Sequence, residues 1–219
     1  MSRDVGPVIL RFIGIFAFTA LLSVFSIAAD ASKPSTVVVL GDSIAAGFGV
    51  DPDESFPAVL QRKVDEGGYN YRVINAGVSG DTTAGGLSRI NWLLKQNIDI
   101  LLIELGGNDG LRGVNPDNTR SNLVQIIERV RARNPETRVV LAGMQMPPNM
   151  GADYTQKFAL VFPEVAQQTK ATLIPFILEG VGGKLELNQP DRIHPNPEGH
   201  RMVAANAWKF LEPLLTHRK

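Results

Sequence analysis

Short apolar runs that stop at glycine, alternating with stretches of helical periodicity, constrain this chain more than any other feature. The first run, residues 37–40 (V-V-V-L), stops at Gly41. Residues 55–66 then read as a helix, with Ser55 placed as its cap, Pro57 in its first turn and Gly67-Gly68 ending it. A second strand over residues 71–76 closes at Gly77. Residues 83–94 form a second helix with Leu87, Ile90 and Leu94 on one side. The run I-D-I-L-L-I-E-L over 98–105 reads as a central strand closed by Gly106-Gly107. Residues 118–134 form a helix with Leu123, Ile126, Ile127 and Val130 inward, and Pro135 lies just past its end. A fourth strand (138–144), a fourth helix (154–170), a fifth strand (172–176) and a closing helix (197–215) complete the series. Five strands alternating with helices require right-handed crossovers, which predicts an α/β chain with a five-stranded parallel sheet covered on both faces.

The opening is of a different kind. Arg3 and Arg11 precede an uncharged run over residues 12–29, which exits through Ala28-Ala29-Asp30-Ala31. A positive end, an apolar middle and a small-residue exit make the pattern of a secretory signal. The expected layout is a signal peptide over 1–31, cleaved after Ala29 or Ala31, and one domain over 32–219. The mature chain would then lie in the periplasm or the medium. At 18 residues the run also suffices for a membrane anchor, which is the alternative. The chain has no cysteine, so lipid-modified cysteine, disulfides and thiolate metal sites are excluded.

The sequence holds 22 basic and 22 acidic residues, and without residues 1–31 the balance is 20 against 20. No run of like charge stands out. Nucleic acid is not an expected partner, because that binding rests on clustered cations neutralising phosphates.

In a parallel sheet the carboxyl ends of all strands share one edge, which is where open α/β folds place their chemistry. The residues brought there are Gly41-Asp42-Ser43, the stretch from Asn75 to Thr82, Gly106-Gly107-Asn108-Asp109, and Asp191-Arg192-Ile193-His194. Each alone is a polar turn. Together they supply a hydroxyl, a glycine-bordered N–H, a carboxamide and a carboxylate–imidazole pair, which is what a serine hydrolase needs. A neutral imidazole takes the serine proton, and a carboxylate on its other nitrogen fixes the tautomer. Asp191 and His194 are three apart, so one turn of chain brings them within reach of each other. The N–H groups of Ser43 and Gly80 and the Asn108 carboxamide are the candidate oxyanion donors. Glycine at position 80 allows close backbone approach, and asparagine offers two N–H bonds without charge.

The strings G-D-S, N-A-G-V-S-G-D-T-T, E-L-G-G-N-D-G-L-R-G and D-R-I-H-P-N, in this order and spacing, resemble the four blocks of the SGNH (GDSL-type) hydrolases. Within that superfamily the chain is similar to the secreted thioesterase I / lysophospholipase / arylesterase group. The resemblance implies a flavodoxin-like three-layer α/β/α sandwich. It implies Ser43 as nucleophile, Asp191 and His194 as its triad partners, and Gly80 and Asn108 in the oxyanion hole. Small acyl esters or thioesters would be the substrates, with lysophospholipid a candidate, and no cofactor or metal and no oligomer is expected. Two other readings stay open: a glycan O-acetyl esterase, and a non-catalytic module whose glycine turns cradle a phosphate or cofactor at a helix N-terminus. The second has no P-loop lysine and leaves Asp191 and His194 unused.

Three of five methionines fall at 144, 146 and 150, directly after the fourth strand and therefore at the edge that carries Ser43. In related thioesterases this loop borders the acyl site, so Met144, Met146, Pro147 and Met150 are the expected wall of an acyl groove; the alternative is an ordinary loop whose methionines tuck into the core. Asp42, Asp81 and Asp109 are expected to serve turn structure, and His200 and His217 to be structural or solvated. Glu104, inside the apolar third strand, must be paired or lie at a strand end, and the sequence offers no partner for it.

Overall fold

The computed structural model describes residues 1–2 and 33–217; the apolar run 12–29 and both expected cleavage positions lie outside the described residues. Residues Lys33–Lys219 pack as one unit. Its strands are β1 (Ser35–Gly41), β2 (Tyr71–Gly77), β3 (Ile100–Glu104), β4 (Arg138–Ala142) and β5 (Thr172–Ile174), in the spatial order β2-β1-β3-β4-β5. All four pairings are parallel. The helices are α1 (Ser43–Ala46), α2 (Phe56–Glu66), α3 (Thr83–Leu93), α4 (Gly107–Leu111), α5 (Pro116–Arg133), α6 (Ala152–Thr169) and α7 (Pro197–Leu211). Helices α3, α5 and α6 pack side by side as one layer, and α2 packs with α7 as another. Layers on both faces explain why β1 and β3 are unbroken apolar runs: Val37–Leu40 and Ile100–Ile103 have no exposed surface at all.

The strand order reverses direction between β1 and β3, so the crevice beyond their carboxyl ends is the topological switch point. The register brings the ends level. Gly41 lies opposite Gly77 of β2 and opposite Glu104 of β3. The turns after three neighbouring strands therefore start from one line.

Several boundaries differ from the sequence expectation. The turns after β1 and β3 each wind into one turn of helix, α1 and α4, before the chain moves on. In α1 the Asp42 carboxylate accepts the Ile44 N–H at 3.0 Å, and Gly47 at φ 78° ends the turn. Helix α5 starts at Pro116, because the Asn115 side chain caps it and proline suits the first position. Ser55 does not cap α2 through its side chain. Its hydroxyl donates to the Pro52 carbonyl instead, and the Phe56 N–H donates to Nδ1 of His200 at 3.2 Å. Among the described residues no helix is long and apolar enough to cross a membrane.

Candidate active site

Ser43 is the first residue of α1, directly beyond β1, and only 9% exposed. Helix α1 can sit this close to the strand ends only because they are glycine. A Cβ on Gly41 would lie 2.4 Å from Cβ of Ala45, and one on Gly77 would lie 2.3 Å from the Ala46 nitrogen. Ser43 Oγ lies 2.8 Å from Nε2 of His194, across 151 residues of sequence. Nδ1 of His194 lies 2.6 Å from Oδ2 of Asp191. The other Asp191 oxygen accepts the N–H groups of Ile193 (2.9 Å) and His194 (3.0 Å), so the carboxylate also shapes the loop that carries the imidazole. Burial would raise the Asp191 carboxyl, but the hydrogen bonds from the His194 ring and from the two N–H groups outweigh it and hold the group at about 2. It is therefore ionised throughout the neutral range. The turn between the two partners is not helical, since Arg192 adopts φ 63° in the left-handed region.

The three expected oxyanion donors come from three turns. Gly80 has φ 83°, a conformation that favours glycine, and its carbonyl accepts from Nη2 of Arg112. The N–H groups of Ser43 and Gly80 meet no acceptor among the described residues. Asn108, in α4, donates through Nδ2 to Oδ2 of Asp42 (3.1 Å) and to the Asp81 carbonyl (2.9 Å). Its amide thus bridges the nucleophile turn and the Gly80 loop, and both its hydrogens are engaged. Asp81 is more than a turn residue: it pairs with Arg89 at 2.6 Å, whose guanidinium also reaches the Ala76 and Gly41 carbonyls. That cation pins the ends of β1 and β2 and the loop before α3 together. Asp109 is buried and accepts from the Thr83 N–H and both the Thr83 and Thr119 hydroxyls, locking α4 between α3 and α5.

Two carboxyls lie beneath the serine. Burial pushes Asp42 up to about 6, against the lowering effect of bonds from Ile44 and Asn108. Glu104 is fully buried, and burial first and the Asp42 charge second push it well above the ordinary carboxylate range. The partners that the sequence did not disclose are backbone: Oε2 accepts the N–H groups of Asp42 and Ala45, each at 3.2 Å. His200 is fully buried on α7. His217 stacks on Tyr69 with ring centroids 4.3 Å apart. Among the described residues no group of three His, Asp or Glu side chains is arranged to hold a metal ion.

Beside Ser43 runs a groove of about 390 Å³, lined by Ile44, Leu111, Met144, Met146, Pro147 and Ile193 among others. Phe176 and Leu178, beyond β5, complete its wall. Met150, the last residue of the 3₁₀ turn Pro148–Met150, is not among the lining residues. Sequence reasoning also missed Phe48 and Gln189. The Phe48 ring lies 4.7 Å from the His194 ring, centroid to centroid. Gln189 Nε2 donates to the carbonyls of Phe48 (2.6 Å) and Pro195 (3.1 Å), tying the nucleophile loop to the histidine loop. Nothing in a lone glutamine marks such a tie. Ile193 was also given no role from the sequence, although its place between the two triad candidates puts it at the site.

A parallel α/β/α sandwich with a Ser–His–Asp hydrogen-bonded series at its switch point defines the class of serine-dependent acyl hydrolases. Comparison with known proteins gives the family. Residues 39–202 match the GDSL-like lipase/acylhydrolase family, and the chain belongs to it. It is 45% identical to "Esterase TesA" of Pseudomonas aeruginosa over 181 residues, 82% of this chain and 89% of that protein. It is 38% identical to "Thioesterase 1/protease 1/lysophospholipase L1" of Escherichia coli K12 over 203 residues, 92% of this chain and 93% of that one. A crystal structure of TesA superposes with a TM-score of 0.79 at 44% identity, covering 83% of this chain and all of that one.

Proposed function

We propose that this chain is an exported serine hydrolase that cleaves carboxylic esters and thioesters of acyl chains through a covalent acyl-enzyme. The observation that carries the reading is the continuous series from Ser43 Oγ through His194 to Asp191, at 2.8 Å and 2.6 Å. His194 takes the hydroxyl proton as Ser43 attacks the acyl carbonyl, and Asp191 stabilises the resulting imidazolium. The developing oxyanion is met by the Ser43 and Gly80 N–H groups, with Asn108 as third donor once it exchanges one internal bond for the substrate. Collapse expels the alcohol or thiol, which takes its proton from His194. Water, activated by the same imidazole, then attacks the acyl-enzyme and releases the acid.

The apolar groove beside Ser43 supports acyl chains as the recognised part of the substrate. The relatives named for esterase, thioesterase and lysophospholipase activity support the same range. Export rests on the charged, apolar and small-residue order of residues 1–31. The test is a specificity profile of the mature protein across acetyl to palmitoyl esters, acyl-CoA thioesters and lysophospholipids, run beside Ser43→Ala and His194→Ala. Hydrolysis of both bond types, lost in both variants with the fold retained, is the expected result. Activity that survives Ser43→Ala would dismiss the mechanism.

A further inference from the structure

Glu104 is a fully buried acid close to Ser43 that this mechanism leaves without a task. It ends β3, level with Gly41 of β1, and has no exposed surface. Oε2 takes the Asp42 and Ala45 N–H groups, whereas Oε1 meets no hydrogen-bonding partner among the described residues. An ionised group here would be a second buried charge beside Asp42 with one oxygen bare, so the neutral acid is the form this environment favours. In that form the oxygen that takes both N–H groups is the carbonyl, and Oε1 carries the proton.

The arrangement sorts the donors around the serine. The first N–H groups of a helix have no acceptor within the helix. Around Ser43 all but one find another: Asp42 and Ala45 at Glu104, and Ile44 at the Asp42 carboxylate, while Ala46 makes the first helical bond, to the Asp42 carbonyl. Only the Ser43 N–H is left over. The same Asp42 carboxylate holds the Asn108 amide through its other oxygen. One buried acceptor therefore fixes the turn that carries the nucleophile and, through Asp42, the third oxyanion donor. Gly41 belongs to the same device, since a Cβ there would lie 2.5 Å from Oε2 of Glu104.

We propose that Glu104 is a positioning residue: a neutral acceptor that holds the Asp42 and Ala45 N–H groups and so reserves the Ser43 N–H for the oxyanion. The proposal rests on the serine-hydrolase reading above. Its test uses two variants of matched size. Glu104→Gln keeps a carbonyl acceptor in the same shape, and Glu104→Met keeps the volume without the acceptor. Each is assayed for kcat and KM on a short p-nitrophenyl ester, for inhibition by a boronic acid that forms a tetrahedral serine adduct, and for folding by circular dichroism. Glu104→Gln should stay within about threefold of the parent. Glu104→Met should lose roughly 10- to 100-fold in kcat with KM nearly unchanged, and its boronate inhibition constant should weaken by the same factor. Undiminished kcat in a folded Glu104→Met protein overturns the proposal. A Glu104→Gln loss as deep as that of Glu104→Met does the same, since charge would then be the needed property. Loss of fold in Glu104→Met would assign the residue to stability instead, again against the proposal. Failure of the underlying reading looks different: Ser43→Ala would remain active in the same assay.

Discussion

Acid should loosen this protein through His200, and the size of the effect can be worked from its surroundings. The ring is fully buried on α7, its Nδ1 accepts the Phe56 N–H that opens α2, and its Nε2 has no partner among the described residues. Protonation would bury a charge and turn the Nδ1 acceptor into a donor facing another donor. Burial first, and the His194 charge second, hold the ring down to about 4, against an unfolded value of about 6.5. Between those values the unfolded chain binds a proton that the folded one refuses, so stability falls as pH falls through this window. Integrated from pH 7 to pH 5, the loss is about 2 kcal/mol. Asp42 acts in the opposite sense. Its folded value is raised to about 6, so its contribution declines as pH rises through the range from about 4 to 6. A double difference isolates the histidine. Urea unfolding of the parent and of His200→Asn, which can still accept the Phe56 N–H but does not titrate, is measured at pH 7 and pH 5. The variant should be less stable at pH 7, yet its loss on going to pH 5 should be smaller than the parent's by about 2 kcal/mol. Equal losses in the two proteins would refute the argument that His200 is folded in the neutral form.

Three further outcomes are expected. Asn108→Ala should lower kcat on a slow ester by roughly 10²–10³-fold, the usual cost of one oxyanion donor; full kcat would remove Asn108 from that role. Met146→Ser and Ile193→Ser should lower kcat/KM for octanoyl esters far more than for acetyl esters, since each buried methylene is worth about 0.8 kcal/mol, whereas Met150→Ser should change neither. N-terminal sequencing of the exported protein should begin at Asp30 or Ser32; an intact Met1 in the membrane fraction would favour the anchor.

The sheet was legible because β1 and β3 hold unbroken apolar runs, and the strands ending at Gly41 and Gly77 also carry their stop signals. The residues of the hydrogen-bonded series were legible for the same reason: the alternation sends Ser43, Asp191 and His194 to one edge. What stayed hidden depends on contacts across long stretches of chain. Helices α1 and α4 are single turns, too short to show a period. Glu104 finds its partners about 60 residues earlier and in backbone, which no residue pattern announces. The Phe56 N–H is met by a histidine 144 residues away instead of by the serine beside it. Met150 is near Met146 in sequence, yet it falls in a 3₁₀ turn and is not among the residues that line the groove.

Covalent labelling reports on the nucleophile itself. The mature protein is treated with a fluorophosphonate, digested, and its modified peptide identified by mass spectrometry. One adduct is expected, on Ser43, formed in step with loss of esterase activity, absent in Ser43→Ala and strongly slowed in His194→Ala. An adduct on any other residue, or full inactivation with Ser43 unmodified, would contradict it.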